Sequence, residues 1–340
     1  MVLIRVDVNN TIATGHLMRC LTIASRLREN GEEVYFCMAD EEGVEKINIH
    51  HFPYIILNTK WNKMEEELSE IKRVIQEYNP SYIIVDSYQV TKFYLGELEK
   101  MAPVLYIDDL AQEVYPVSSV LHYSDWQDQK DYCAKYFSTE TKILYGLKYV
   151  PLREEFYLGT ESREKKILIT TGGTDTYNVT KDILEMLLQE KNVEEYSFCV
   201  IIGGRNQNKA ELEKMAAENT RINVYYDVKN MGDYMRSCEI AISAGGTTIY
   251  ELLACGIPIV AFSFALNQTA SLVKYGERGW LQYAGSVEQN KTTVIQNIKD
   301  HVVAICRDNH MRKKILDLTT NLVDGQGAER IAKFLIAENK

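Results

Sequence analysis

The chain has 340 residues, of which 46% are hydrophobic and 25% are charged, and its formal net charge is -10. This composition is typical of a soluble globular protein and excludes extended disorder, and the length suggests roughly two domains. The negative charge argues against a general affinity for nucleic acid or for an anionic membrane surface. We therefore expect neither as a partner, although a local cationic pocket for a phosphate remains compatible with this charge.

The seven cysteines are scattered along the chain, with no CxxC pair and no histidine at metal-ligand spacing. This usage predicts reduced thiols in a cytoplasmic protein. We expect neither a metal nor another cofactor. The chain opens on MVLIRVDV, which is typical of a strand and not of a secretory signal, and no long apolar run follows. The sequence thus predicts a cytoplasmic protein without a membrane span, and a monomer is compatible with it.

Short β-branched runs alternate with amphipathic segments, which is the pattern of a parallel sheet covered by helices. In the segment MEEELSEIKRVIQEY, Leu68, Ile71, Val74 and Ile75 recur at helical spacing. The strands predicted for the first half of the chain are Val2–Val6, Glu33–Cys37, Tyr54–Leu57, Tyr82–Val85, Val104–Ile107 and Ser119–His122.

The alternating pattern weakens between Leu144 and Gly159, where a proline, two glycines and charged residues indicate a linker. It then resumes. The strands predicted there are Lys166–Thr170, Phe198–Ile202, Asn223–Tyr225, Ile240–Ser243 and Pro258–Phe262. We predict two Rossmann-like, doubly wound α/β domains, 1–158 and 159–340, facing a central cleft, with the last helix as a candidate to pack back on the first domain.

Each half opens with a strand, a turn of small residues and a helix. The turns are NNTIATGH at 9–16, which ends on His16, and TTGGTDTYN at 170–178, which contains Gly172 and Gly173. A further turn, IIGGRNQ, contains Gly203. Ligands of open parallel sheets bind outside the carboxyl ends of the strands, so these turns are candidate binding segments.

The segment EIAISAGGTTIYELLACGIPIVAFSFALNQ, at 239–268, is the strongest candidate for a diphosphate site. Glycines let backbone amides approach a ligand, and a helix start favours negative charge. A glutamate one turn into the helix can accept hydrogen bonds from ribose hydroxyls. The candidate residues are Ser243, Gly245, Gly246, Thr247, Thr248, Glu251, Asn267 and Gln268. Alone, however, a GG turn often does nothing but turn the chain.

Several motifs together resemble one family. They are RVDVNNTIATGHLMRCLTIASRL near the start, IIVDSY at 83–88, YIDDLA at 106–111, SAGGTTIYELLACGIP with the later NQ, and DGQGAERI at 324–331. The pattern resembles the UDP-2,4-diacetamido-2,4,6-trideoxy-β-L-altropyranose hydrolases of pseudaminic acid biosynthesis, a family that includes spore-coat polysaccharide proteins and has a GT-B glycosyltransferase-like fold. One departure is Ala13, where that family commonly has glycine.

The resemblance implies cleavage between the anomeric carbon and the diphosphate of a UDP-linked sugar, with His16 as the general base for water. It places Tyr88 near the sugar and the segment 245–251 around UDP, and it includes Arg5, Gly15 and Arg19 among the matching residues. A single direct displacement would invert the anomeric configuration.

An imidazole at a strand-to-helix corner suits a general base because it can accept a proton near neutral pH. A carboxylate would fix its tautomer, and Asp7 is the nearest candidate in sequence. The alternative is a histidine that merely caps the turn. Asp108 and Asp109 are adjacent on a strand end without a third ligand, so we interpret them as structural or as polar contacts of the substrate and not as a metal site.

Three rival functions remain open from the sequence. They are a glycosyltransferase that uses a UDP-sugar donor, a hydrolysing UDP-sugar 2-epimerase and a noncatalytic sensor of nucleotide sugars. The first would need an acceptor and the second further acid and base groups. A sensor would keep its binding of the nucleotide sugar when His16 is replaced.

Overall fold

The computed structural model describes residues 1–9, 14–159, 163–204 and 206–338, without the side chains of Leu266 and Asn267. The chain forms two compact units, the first of residues 1–152 and 326–340 and the second of residues 153–325. The boundary between the units therefore lies after Leu152, whereas the sequence analysis placed it at Gly159. The reason is that the segment after Leu152 packs in the second unit, where the backbone carbonyl of Glu155 accepts a hydrogen bond from Arg236.

The first unit is built on a parallel sheet of seven strands in the order β3-β2-β1-β4-β5-β6-β7. All six predicted strands are present, with ends that differ by one residue at most, and the last strand was not predicted. The strands are β1 Val2–Val6, β2 Val34–Met38, β3 Tyr54–Ile56, β4 Tyr82–Asp86, β5 Val104–Ile107, β6 Ser119–His122 and β7 Lys142–Tyr145.

Five helices connect these strands, and the C-terminal helix of the chain joins them. The helices are α1 Gly15–Glu29, α2 Val44–Ile49, α3 Leu68–Tyr78, α4 Lys92–Glu99, α5 Gln129–Lys135 and, at the end of the chain, α13 Gly327–Glu338. Helix α13 packs on α1. Arg330 of α13 also donates a hydrogen bond to the carbonyl of Lys148 at 2.8 Å, and Gly327 lies so close to the backbone of Val150 that a Cβ would not fit.

The second unit is built on a parallel sheet of six strands in the order β10-β9-β8-β11-β12-β13. The five predicted strands are present, and the last was not predicted. The strands are β8 Glu164–Thr170, β9 Ser197–Ile202, β10 Ile222–Tyr226, β11 Cys238–Ala244, β12 Ile259–Ser263 and β13 Gln282–Ser286. The helices are α6 Val179–Leu188, α7 Lys209–Glu218, α8 Met231–Ser237, α9 Thr248–Ala254, α10 Leu266–Glu277, α11 Val287–Arg307 and α12 Asn309–Thr319.

Both sheets are buried between helices, so their strands consist of nearly continuous apolar residues. The central strand β1 is fully buried, and Val6 at its end pairs with Asp86 at the end of β4. Because parallel strands end at the same edge of a sheet, this register brings the residues after β1, β4, β5 and β6 together. None of the helices described here is long and apolar enough to cross a membrane.

Candidate functional site

His16 lies in the first turn of α1, directly beyond the carboxyl edge of the first sheet. Its Nδ1 atom is 2.6 Å from Oδ1 of Asp86, the last residue of β4. The His16 side chain is 12% exposed and that of Asp86 is fully buried. The carboxylate beside His16 is therefore Asp86 and not Asp7, because β4 and not β1 carries the acid that faces this helix.

Arg19, one turn further along α1, has five N–H donors, and each has a partner. Nε donates to Oδ2 of Asp86 at 2.6 Å, and Nη2 donates to Oδ1 of Asp86 at 2.5 Å and to Oδ2 of Asp109 at 2.9 Å. Nη1 donates to Oδ1 of Asp109 at 3.0 Å and to the hydroxyl of Tyr123. Both Nη2 hydrogens thus go to carboxylates, although Nδ1 of His16 lies 3.0 Å away.

This count of donors assigns the tautomer of His16. A guanidinium cannot accept a hydrogen bond, and Arg19 has no hydrogen left for the imidazole. Nδ1 of His16 must therefore carry the hydrogen that binds Asp86, and Nε2 keeps the free lone pair. A histidine with this tautomer, oriented by a buried carboxylate, is arranged to accept a proton at Nε2.

The charges of these residues do not cancel. Burial alone would raise the pKa of Asp86, but the charges of Arg19 and His16 hold that pKa below its ordinary value. Asp86 and Asp109 are two negative charges around the single positive charge of Arg19. A net negative charge therefore remains beside His16.

Tyr88 and Asp109 border the imidazole. The ring of Tyr88 meets that of His16 edge to face, with 4.7 Å between the centroids, and its hydroxyl donates to Oδ2 of Asp109 at 2.9 Å. Burial and the Asp109 charge raise the pKa of Tyr88, so the phenol stays neutral. The Tyr88 residue is 41% exposed and can contact a ligand. We call His16, Arg19, Asp86, Tyr88, Asp109 and Tyr123 the His16 cluster.

Arg5 and Asp7, which the sequence placed among the binding and catalytic residues, belong to a different, buried network. Arg5 donates to both carboxylate oxygens of Glu67 at 2.7 Å, and its Nη1 lies 2.6 Å from Asp7. Asp7 also accepts the backbone N–H of Ala39 at 2.8 Å. Arg5 is completely buried and Asp7 is 4% exposed, so neither is accessible to a substrate.

The glycines after β8 and β9 bring two turns of the second unit together. A Cβ on Gly203 would lie 2.8 Å from the carbonyl oxygen of Gly172 and 2.8 Å from Cα of Gly173. Gly172 has a φ of +78°. These glycines permit a close approach of backbone to backbone, which is a structural reason for their presence beside any contact with a ligand.

The turn between β11 and α9 is equally tight. Gly245 touches Gln268 of α10, since a Cβ there would lie 2.9 Å from Cβ of Gln268, whereas a Cβ on Gly246 would have open space around it. Gly246, with a φ of +127°, is exposed, and Thr247 and Thr248 are half-buried at the start of α9. This stretch is accessible to a ligand.

Two other residues of the same segment differ in their accessibility. Ser243 is 1% exposed and its hydroxyl donates to the carbonyl of Ala244, which corrects its prediction as a binding residue. The side chain of Glu251 is 17% exposed and lies 3.9 Å from Arg153. Burial raises the pKa of Glu251 to about 7, and the charge of Arg153 offsets this only in part.

Two of the predicted positions, Ala13 and the side chain of Asn267, are not among the parts of the chain that the structure describes. The rest of the turn 10–13 also lies outside the described residues, and Asn267 stands in the first turn of α10. Gly15 is the first residue of α1. Among the residues that the structure describes, no group of three His, Cys, Asp or Glu side chains could hold a metal ion.

Asp86 and Tyr123 were not predicted from the sequence as site residues, and Asp109 was interpreted only as structural or as a polar contact of the substrate. All three follow or end strands β4, β5 and β6, at the same edge as His16. Asp86 and Asp109 stand in IIVDSY and YIDDLA, two of the motifs that carry the resemblance. The signal was thus present, but only the strand order shows that these residues meet.

Solved structures resemble the whole chain. A spinosyn rhamnosyltransferase complexed with thymidine diphosphate has a TM-score of 0.67 and 12% identity, covering 98% of this chain and 99% of its own. A glycotransferase of kitacinnamycin has a TM-score of 0.71 and 14% identity, covering 99% and 98%. The chain has the GT-B fold. Within it, residues 166–300 of the second unit match the family model described as glycosyl transferases group 1.

Three curated relatives match this chain over part of its length and over part of their own. An uncharacterized protein of Methanocaldococcus jannaschii is 29% identical over 72% of this GT-B chain and 52% of its own length. The spore coat polysaccharide biosynthesis protein SpsG of Bacillus subtilis is 22% identical over 59% and 60%.

A bifunctional protein of Helicobacter pylori is 28% identical over 55% of this chain and 34% of its own length. Its name combines pseudaminic acid cytidylyltransferase with UDP-2,4-diacetamido-2,4,6-trideoxy-beta-L-altropyranose hydrolase. The chain spans less than two thirds of the length of each of these three relatives. Of the three relatives, only the Helicobacter pylori protein has a UDP-sugar hydrolase in its name, and its similarity to this chain is weak.

Proposed function

We propose that the chain hydrolyses a UDP-linked 2,4-diacetamido-2,4,6-trideoxy hexose to UDP and the free sugar. The observation that carries this proposal is the pair of His16 and Asp86, with Nδ1 bound to the carboxylate at 2.6 Å and Nε2 left as a proton acceptor. The similarity to the Helicobacter pylori protein, whose name includes a hydrolase of such a sugar nucleotide, supports the same reaction.

In the proposed step, a water oxygen attacks the anomeric carbon while the bond from that carbon to the phosphate oxygen breaks. The proton of the water goes to Nε2 of His16, and the electron pair of the broken bond leaves with UDP. The negative charge of the His16 cluster stabilises the imidazolium that forms. Because the displacement is direct, the anomeric configuration inverts.

The second unit would bind the leaving group. The exposed backbone at Gly246 and the hydroxyls of Thr247 and Thr248 offer donors to a diphosphate, and Glu251 offers an acceptor to ribose. No metal or cofactor is part of the proposal. Gly172, Gly173, Gly203 and Gln268 shape the same edge of the second sheet, and Asn267 stays a candidate contact.

Replacing His16 with Ala is the direct test. We expect the variant to bind UDP as the wild type does and to lose turnover by about 10²- to 10⁴-fold, the usual contribution of a general base. UDP release is measured by chromatography after incubation with the sugar nucleotide. His310→Ala is the matched control, because His310 is exposed on α12 and should leave turnover unchanged. Equal turnover in wild type and His16→Ala would refute the role of His16.

A glycosyltransferase is the second candidate, and the match of residues 166–300 to the glycosyl transferase model favours it. The two reactions differ in their need for an acceptor. With water as the only nucleophile, a hydrolase releases UDP and free sugar, and in ¹⁸O-water the label enters the sugar. A transferase shows no comparable release of UDP without its acceptor. A 2-epimerase gives a free sugar inverted at C2. Label in the phosphate of UDP would refute cleavage at the anomeric carbon.

A further inference from the structure

An aromatic pair, whose two residues have no role in the site described above, lies at the carboxyl edge of the second sheet. Tyr177, in the turn after β8, stacks on Phe264, which follows β12, with 5.7 Å between the ring centroids and 15° between the planes. Tyr177 is 40% exposed, and Phe264 is half-buried and packs against the core of the second unit. The pair thus has one supported face and one accessible ring.

The position of Tyr177 is fixed by its surroundings. Asp175 caps helix α6 by accepting the backbone N–H groups of Val179 and Thr180 at 2.8 and 2.9 Å. Lys291 donates to the carbonyl oxygen of Tyr177 at 2.6 Å. These contacts hold the backbone at Tyr177, which reduces the conformational entropy lost when a ligand stacks on its ring.

Phe264 is tied to the proposed diphosphate turn. Its backbone N–H donates to Oε1 of Gln268 at 2.9 Å, and Gln268 is the residue that touches Gly245. Strand β11 lies between β8 and β12 in the sheet, so Tyr177 and Phe264 join the loops on either side of the strand that leads into Gly245.

The neighbours of the pair indicate which part of a nucleotide sugar it meets. Glu251, the proposed ribose contact, has Arg153 and Thr248 as its partners, whereas Gln268 has Gly245 and Phe264. In a nucleotide sugar, the ribose and the sugar lie on opposite sides of the diphosphate. With the ribose at Glu251, the group beside Phe264 and Tyr177 is the sugar.

We propose that Tyr177, supported by Phe264, stacks on the apolar face of the substrate's sugar and selects for it. The face of an aromatic ring is electron-rich and attracts C–H groups, and it also buries apolar area. A 6-deoxy sugar with two acetamido groups presents three methyl groups in addition to its ring C–H bonds. The inference rests on the proposed binding of a UDP-sugar and adds a determinant of sugar specificity.

Calorimetric titration of three proteins tests it, each carrying His16→Ala so that the ligand survives the measurement. One has Tyr177 intact, one has Tyr177→Ala, and one has Tyr177→Phe as the matched control that keeps the ring. The ligands are UDP and UDP-2,4-diacetamido-2,4,6-trideoxy-β-L-altropyranose. For Tyr177→Ala we expect unchanged affinity for UDP and affinity for the UDP-sugar lower by about tenfold, equivalent to about 1.4 kcal/mol. Tyr177→Phe should bind both ligands like the parent.

Saturation-transfer NMR on the same complexes adds a direct readout, because the relative saturation of the sugar methyl groups, compared with the uracil protons, should be higher in the parent and in Tyr177→Phe than in Tyr177→Ala. Equal weakening of UDP and UDP-sugar would place a nucleoside on the ring and overturn the assignment. Unchanged binding of both ligands would overturn it too. A protein with intact His16 that shows this binding pattern but no UDP release would refute the hydrolase and leave the Tyr177 assignment standing.

Discussion

Replacing Asp86 with Asn separates the charge of this residue from its shape. The carboxylate oxygen lies 2.6 Å from Nδ1 of His16, and the two charge centres are about 4 Å apart once the imidazole is protonated. At an effective dielectric constant of about 20, the interaction is about 4 kcal/mol, which corresponds to about 10³-fold in rate. We therefore expect the kcat for UDP release to fall by roughly that factor, with KM changed much less.

Asp109→Asn is the matched control for this experiment. It removes a charge of the same sign from the same arginine, Arg19, but Asp109 does not contact His16. Its effect on kcat should be clearly smaller. Thermal unfolding of both variants checks that they fold. If the two substitutions lowered kcat equally, or if Asp86→Asn kept full activity, the orientation of His16 by Asp86 would not contribute to turnover, and the reasoning above would be wrong.

Two further predictions concern stability. Arg5→Met leaves the buried carboxylate of Glu67 without its arginine and should lower the free energy of unfolding in urea by about 3–5 kcal/mol. Adding Glu67→Gln should recover part of this loss. If Arg5→Met kept full stability but bound the UDP-sugar more weakly, Arg5 would be a binding residue after all. The pKa of Glu251 is about 7 in the folded protein and 4.5 ordinarily. Because the folded state holds the proton more tightly, the free energy of unfolding should decrease as the pH rises from 4.5 to 7, by about 3 kcal/mol at most. Glu251→Gln should remove this pH dependence. An unchanged pH profile of unfolding in Glu251→Gln would contradict the second.

The pattern of strands and turns was sufficient to predict the fold class. Buried parallel strands are nearly continuous apolar runs, and the runs around Ile4, Ile84 and Ile242 are unambiguous for this reason. The edge strands β3 and β10 were predicted, whereas β7 and β13 were missed. Strand β7 has only four residues and runs into the segment interpreted as a linker, and β13, with the sequence QYAGS, lacks an apolar run. A periodicity argument has little to detect in such strands.

The site was harder to predict because its residues are distant in sequence. Asp7 is only nine positions from His16 and was the natural candidate for its partner, yet Asp86, 70 positions away, has that contact. The pairing of β1 with β4 brings Asp86 there, and no local pattern encodes which strands are neighbours. The same limit explains Arg5: a charged residue in a strand at the binding edge suggests a ligand, whereas burial against Glu67 shows a structural role.

The electrostatics of the two sheet edges support a division of tasks between the two units. The His16 cluster carries one arginine and two carboxylates, the buried Asp86 and the half-buried Asp109, so its net negative charge would repel a diphosphate. The turn at Gly246 instead presents uncovered backbone and the hydroxyls of Thr247 and Thr248. A leaving group with two phosphates is better accommodated there. Under the proposed function, this difference between the two edges favours activating water at the first unit and binding the diphosphate at the second.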